Sequence, residues 1–407
     1  MTFHFLLPIY RLVAGLPNAA FFLALPLGLV FTGQLWHKFA PLPATRPWDN
    51  WGVRCLLVFG LLDWLLLAAL PRLRLSFGPA GAPLAGMIAI RTLVIVLFLA
   101  ALLAANRLHG EAATRLAGKI PVLLLAAHVL VLACEFEALY FEPFFLRTSN
   151  HTLAAPVLFQ NPNVTDRGLR IVQLSDTHVE RTTRRERELV ERIRALKPDI
   201  ILLTGDYLNL SYLHDPQAQS DARALFSQLQ APYGVYAVTG SVDPASAIGP
   251  VFDGLEITFL SDAVRRILLP HGEFYLVGVT NRSFSRDQEA FQRLVKSVPD
   301  GAFSVLIYHT PDLVETAAEN GMDLVLSGHT HGGQIRLPFY GAVFTNSRYG
   351  KTYEMGRYEV GTTTLYVSRG IGMEGNHAPR ARFLCPPEIV VFDLLPGDLA
   401  PRLPHDR

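Results

Sequence analysis

Apolar residues are crowded into the first third of this chain and charged residues into the rest, and that asymmetry limits its folds more than any other feature. Four stretches before residue 145 are long and apolar enough to cross a bilayer as helices: Leu12–Trp36, Val53–Leu70, Leu84–Ala105 and Ile120–Ala138. The first lacks a strong basic flank and a small-residue cleavage site, and three more spans follow it, so it reads as an anchor rather than a cleaved signal. Trp36, Trp48 and Trp51 fall between the first two spans, where interfacial aromatics gather. The expectation is a four-helix transmembrane bundle over 1–145 and a second, water-facing domain over 146–407.

Charges inside the spans are expensive and need partners. Asp63 lies near the end of the second span and Arg91 near the start of the antiparallel third, at matching depth, so the two are expected to pair. His128 belongs to the fourth span; Glu135 and Glu137, near its end, are expected at the interface. Four spans place both termini on one side. The loops on the other side hold Lys38, Arg46, Arg54, Arg107, Arg115 and Lys119, against Arg11, Arg72, Arg74 and Arg147 on the side of the second domain. Basic residues mark the cytoplasmic side, so the count leans toward a multi-pass protein of the cell (inner) membrane with a non-cytoplasmic second domain. Few polar groups within the spans and no evident inverted repeat argue against a transporter.

After a loop near residues 143–168, short β-rich runs alternate with helical periods. Leu169–Leu174, Ile200–Leu203, Tyr236–Val238, Tyr275–Val279, Val305–Tyr308, Leu324–Leu326, Leu365–Val367 and Ile389–Phe392 read as strands. Arg184–Leu196, a stretch around Ala222–Leu229, and Phe291–Val298 read as helices. The alternation predicts a layered α/β domain. The whole chain's net charge of only +1 gives no electrostatic case for nucleic acid, and Cys55, Cys134 and Cys385 make no disulfide framework or Cys-x-x-Cys metal site.

Metal-type side chains nonetheless gather just past strand ends: Asp176 and His178, Asp206, His309, and His329 with His331. Ligands meet outside the carboxyl ends of strands in open α/β sheets. Two carboxylates and four imidazoles form a mixed nitrogen and oxygen set that suits zinc, manganese or iron better than calcium or magnesium. Two ions sharing one carboxylate supply an activated water and neutralise phosphate oxygens.

The blocks LSDTHVE, LLTGDYLN, IYHTPD and SGHTHGGQIRLP, with the closing YVSRGIG and PPEIVVFDL, resemble the calcineurin-like metallophosphoesterase superfamily over roughly residues 168 to 395. The likeness is greatest to a membrane-tethered branch that includes hydrolases of the UDP-diacylglucosamine pyrophosphate bond. It implies a four-layer αββα sandwich and two divalent metal ions. Asp176, His178, Asp206 and His331 would hold the first, and Asp206, His309 and His329 the second. The implied substrate is a phosphorylated small molecule or lipid, met at the membrane.

One block departs from the pattern. Where the family has Gly-Asn-His-Asp, this chain has Gly240, Ser241, Val242 and Asp243. Ser241 replaces an asparagine ligand of the second metal with a short hydroxyl. Val242 replaces an imidazole that contacts phosphate and cannot donate a proton. Asp243 would then lack the histidine it normally orients. Three outcomes stay open: slower hydrolysis with a weakened second metal; replacement by Asn376 and His377 or by His214 and Asp215; or a pseudoenzyme that binds metal or phosphate without turnover. Arg282 and Arg369 are candidate phosphate clamps, weighed against ordinary structural roles. The cluster Arg181, Arg184, Arg185 and Arg187 is a candidate contact for anionic headgroups, or simply the solvated face of a helix.

Overall fold

A computed structural model describes residues 51–106, 111–159, 168–270, 272–374 and 380–397. Of these, residues 51–140 with Arg380 form one compact unit, and 141–374 with 381–397 form the other. The first predicted span, Leu12–Trp36, lies outside the described residues, as do Asn376 and His377.

The first unit contains three helices, α1 (Trp51–Arg72), α2 (Gly81–Asn106) and α3 (Glu111–Phe136), each long and apolar enough to cross a membrane. They pack with apolar side chains outward and charged ones inward. Leu57, Leu61, Leu97, Val122 and Leu130 face outward, while Asp63, Arg91 and His128 are fully buried. The predicted Asp63–Arg91 pair forms, and it is bidentate: Arg91 Nε donates to one Asp63 oxygen at 2.6 Å and Nη2 to the other at 2.5 Å. Glu135, expected at the interface, is buried and joins this pair. Its Oε2 lies 2.5 Å from the same Arg91 Nη2, because one arginine fork has donors enough for two carboxylates. Arg91 Nη1 donates to the His128 carbonyl at 3.1 Å, and the His128 ring stacks on Phe59 with centroids 5.2 Å apart.

The second unit is an α/β sandwich of two six-stranded mixed sheets. Its strands are β1 (Arg147–Ala154), β2 (Leu169–Leu174), β3 (Ile200–Leu203), β4 (Val235–Ala237), β5 (Thr258–Phe259), β6 (Ala263–Leu269), β7 (Gly272–Gly278), β8 (Ser304–Ile307), β9 (Leu324–Ser327), β10 (Arg336–Leu337), β11 (Gly341–Ala342), β12 (Gly356–Val360), β13 (Thr363–Val367) and β14 (Glu388–Leu395). One sheet runs β1-β14-β2-β3-β4-β5, the other β12-β13-β9-β8-β7-β6, and β10 and β11 form a separate hairpin. Strands β2 to β5 are parallel to one another, as are β7, β8, β9 and β13. All described residues of β3, β8 and β9 are buried, which is why these strands read as unbroken apolar runs.

Helices α4 (Arg184–Leu196), α5 (Pro216–Phe226) and α6 (Ala245–Phe252) cover the outer face of the first sheet through Leu189, Ile193, Phe226 and Val251. Between the sheets, Ile171, Leu202 and Phe392 meet Phe274, Val305 and Leu326. Helices α7 (Phe284–Leu294) and α8 (Val314–Glu319) cover the second sheet. Thr183 starts α4 with a reciprocal capping box to Glu186, and Asp215 caps α5.

The stretch near 143–168 is not all loop. Residues 147–154 form β1, parallel to β14 from Arg147↔Glu388 to Ala154↔Leu395. Its polar sequence, RTSNHTLA, suits a half-exposed edge and carries no apolar signal.

Candidate metal centre

Every metal-type residue singled out by position past a strand end arrives in one cluster of converging donors. Asp176 and His178 follow β2, Asp206 follows β3, Ser241 follows β4, His309 follows β8, and His329 and His331 follow β9. Asp176, His178, Asp206 and His309 are completely buried.

Two groups of donor atoms converge, each within 4.8 Å: Asp176, His178 and His331, and Asp206, His309 and His329. In the first, His178 Nε2 and His331 Nε2 lie 3.0 Å apart, and His331 Nε2 lies 3.4 Å from Asp176 Oδ1. In the second, His309 Nε2 lies 3.0 Å from His329 Nδ1 and 3.2 Å from Asp206 Oδ2. Asp206 Oδ2 also lies 3.8 Å from His178 Nε2, so this carboxylate stands between the groups. Two buried carboxylates with four imidazole nitrogens converging on them form a donor set able to hold positive ions. The residues present therefore fit divalent cations. His309 is further oriented as ligands usually are, with Nδ1 on the Thr204 carbonyl at 2.8 Å.

The backbone is strained to achieve this. Asp176, His178, Asp206, His329 and His331 all have positive φ, between 39° and 68°. For residues other than glycine that conformation costs roughly 1–2 kcal/mol each, and such strain clusters at functional sites. Glycines make room for the turns. A side chain at Gly328 would collide with Ser175 Oγ and the Asp176 carboxylate, and one at Gly205 would meet the Gly240 backbone and His309 Nδ1.

The charges compensate one another. Burial tends to raise the Asp206 pKa, but the charge of His309 overrides it and holds the carboxyl well below the usual range. Burial works against a charged His309, yet Asp206 beside it pushes its pKa up to about 10. Burial, then the His309 charge, bring His329 down to about 4. His309 thus carries a proton over the neutral range, and a cation must displace it. Metal uptake at about pH 8 should release close to one proton, and apparent affinity should climb with pH by about tenfold per unit until His309 deprotonates unaided. Calorimetry in buffers of different ionisation enthalpy measures that number.

Ser241 Oγ lies 3.1 Å from Asp206 Oδ2 and 3.5 Å from His309 Nε2, at the edge of the second group. Val242 contributes its backbone N–H to Asp206 Oδ1 at 3.0 Å. Asp243 is not left without a partner. It accepts the backbone N–H of Gly240 and Asp206, both at 2.7 Å, and of Tyr207 at 3.0 Å. It fixes the turn that presents Asp206 and does not reach the converging donors. Burial, then the Asp206 charge, raise its pKa to about 6.

The proposed replacements fare differently. His377 and Asn376 lie outside the described residues. His214 is exposed, and Asp215 is used as the cap of α5 and pairs with Arg181 at 2.9 Å. Arg282 pairs with Asp262 at 2.7 Å and Arg369 with Glu388 at 2.5 Å. In the arginine cluster, Arg185 is buried against Glu186 and Arg184 stacks on Phe144.

The sequence reading missed Glu374. Its Oε2 lies 3.7 Å from His178 Nε2, and it forms a third converging group with His178 and Asp206. No spacing rule finds it, because it belongs to a loop rather than a strand end. Glu374→Gln, which keeps the shape and removes the charge, should weaken manganese binding by about tenfold, measured by competition with a fluorescent chelator.

A family model described as calcineurin-like phosphoesterase matches residues 169–333. The uncharacterized metallophosphoesterase YkuE of Bacillus subtilis (strain 168) is 33% identical over 266 residues, covering 63% of this chain and 88% of that protein. Phosphodiesterase YaeI of Escherichia coli (strain K12) is 28% identical over 263 residues, 63% of this chain and 91% of that one. The UDP-2,3-diacylglucosamine pyrophosphatase LpxG of Chlamydia trachomatis serovar D is 26% identical over 311 residues, again 63% and 91%.

Proposed function

This chain belongs to the calcineurin-like metallophosphoesterase family and is a metal-dependent phosphoester hydrolase, and from that premise we propose that it cleaves a phosphodiester or pyrophosphate bond in a lipid-linked substrate at a membrane surface. In this reading Asp176, His178, Asp206 and His331 hold one divalent ion, and Asp206, His309 and His329 hold a second, with Ser241 at its edge. The ions supply Lewis acidity toward phosphate and water. The chain's own residues fix their positions and exclude bulk water.

The observation that carries the choice of bond is Val242. Beside Asp206, where the family has an imidazole, this chain has a side chain that cannot give a proton to a leaving group. An alkoxide departing from a monoester needs that proton. A phosphate departing from a pyrophosphate, or a second ester that leaves readily, does not. The three membrane-length helices and the likeness to a lipid pyrophosphatase support a substrate presented by the bilayer. We also place residues 1–145 in the cell (inner) membrane as a multi-pass anchor for 146–407, on the non-cytoplasmic side that the basic residues favour.

The test is hydrolysis of an aryl phosphodiester and an alkyl phosphomonoester by the purified full-length protein with manganese, beside His331→Ala. The diester should be preferred at least about tenfold, and activity should vanish in the variant. A protein that binds metal but turns over neither these nor a lipid pyrophosphate is the pseudoenzyme that Ser241 and Val242 leave open.

A further inference from the structure

The hairpin that leaves the His331 loop is built unlike the rest of its domain. Strands β10 and β11 pair Arg336 with Ala342 and Leu337 with Gly341, so only Pro338, Phe339 and Tyr340 make the turn. Leu337, Phe339, Tyr340, Val343 and Phe344 are all exposed, and Phe339 stands wholly in solvent at positive φ. Five large apolar side chains within eight residues form a patch, whereas single exposed hydrophobics would mean little. The two sheets close their cores without them.

The hairpin is held firmly. Glu354 pairs with Arg336 at 2.9 Å and accepts the Ala342 N–H at 3.1 Å, clamping both strands from one side. Arg336 also donates to the Gly332 carbonyl at 2.9 Å. A side chain at Gly333 would strike Ala342, so the hairpin base packs on the turn that carries His331. Just beyond the hairpin, the Phe344 carbonyl lies against the same Gly333 turn. The apolar tip is therefore attached at both ends to the candidate metal centre.

Its rim is basic. Lys351 bonds the Tyr340 carbonyl and sits 3.6 Å from the Tyr340 ring centroid, with no acidic partner among the described residues. Arg348 is exposed over the Phe284 ring at 3.6 Å. Phenylalanine and tyrosine on a rigid turn, beside cations, match a bilayer interface: rings at the acyl boundary, ammonium and guanidinium groups among anionic headgroups.

We propose that the β10–β11 hairpin docks into the bilayer interface and sets the metal centre at headgroup height. This deepens, and rests on, the reading of a lipid-linked substrate. A strand rises about 3.3 Å per residue, so the short hairpin would keep the reacting phosphorus within roughly 10–15 Å of the acyl boundary. A lipid could then be cleaved without leaving the membrane.

The experiment uses the full chain in nanodiscs of phosphatidylcholine and phosphatidylglycerol, with either plain or dibrominated acyl chains. Phe339→Trp is compared with the parent, so that emission from the native tryptophans cancels. The added emission should be quenched by brominated chains and shielded from acrylamide in the water. Emission that acrylamide quenches freely and bromine leaves untouched overturns the proposal. Emission that neither quencher reaches also overturns it, because protein would then cover the tip. The readout needs no turnover, so a chain that fails to hydrolyse any lipid still answers it, and that failure would fall on the proposed substrate alone.

Discussion

Asp206→Asn should lower kcat/KM for a phosphodiester by at least about a thousandfold and reduce the divalent metal retained by the protein. The substitution is nearly isosteric, and asparagine tolerates the left-handed backbone that Asp206 adopts at φ 58°. The remaining amide oxygen can still accept from the Val242 N–H, which lies 3.0 Å from Oδ1. What disappears is the charge that stands between His178 and His309, at 3.8 and 3.2 Å. Unchanged circular dichroism with lost activity and lost metal is the expected combination. Activity within tenfold of the parent would mean that Asp206 serves the turn and not the chemistry.

Arg91→Met should destabilise the helical bundle by roughly 3–5 kcal/mol, the cost of leaving buried charge uncompensated. Asp63 is entirely buried and Glu135 nearly so, and both face the same guanidinium at 2.5 Å. Removing it sets two carboxylates side by side in an apolar bundle. Neutralising them as well, in Arg91→Met with Asp63→Asn and Glu135→Gln, should restore most of the loss, since a whole buried ion cluster can often be replaced by neutral groups at little cost. Thermal unfolding of the full-length protein in detergent, followed by helical signal, reads both variants. A melting curve unmoved by Arg91→Met would show that the cluster contributes nothing to the bundle.

The parts of this molecule legible in its sequence were those governed by short-range periodicity or by position at a strand end. Leu169–Leu174 and Ile200–Leu203 are continuous apolar runs, and buried parallel strands have no other way to be written. The six metal-type residues followed such strands, so their convergence was implied once the strands were found. The Asp63–Arg91 pair was legible because two antiparallel helices put matching positions side by side. What was hidden depended on contacts the sequence does not encode locally. Strand β1 is polar and takes its place in the sheet by pairing with β14. Glu135 could be read only by its place near a span's end, and its sharing of Arg91 was not foreseen. Glu374 reaches His178 from a loop whose path no period describes. Asp243 appeared stranded beside Val242, yet its partners are backbone amides, which every sequence possesses and none displays.

The most direct test of the two-ion centre is the number of ions it holds. Full-length protein stripped with chelator, reloaded with manganese and freed of excess should carry close to two manganese ions per chain by inductively coupled plasma mass spectrometry, falling sharply in Asp206→Asn. Two ions with that dependence are what the paired donor groups around Asp206 predict. A parent protein that retains none, or the same number in the variant as in the parent, would contradict a centre organised on this carboxylate.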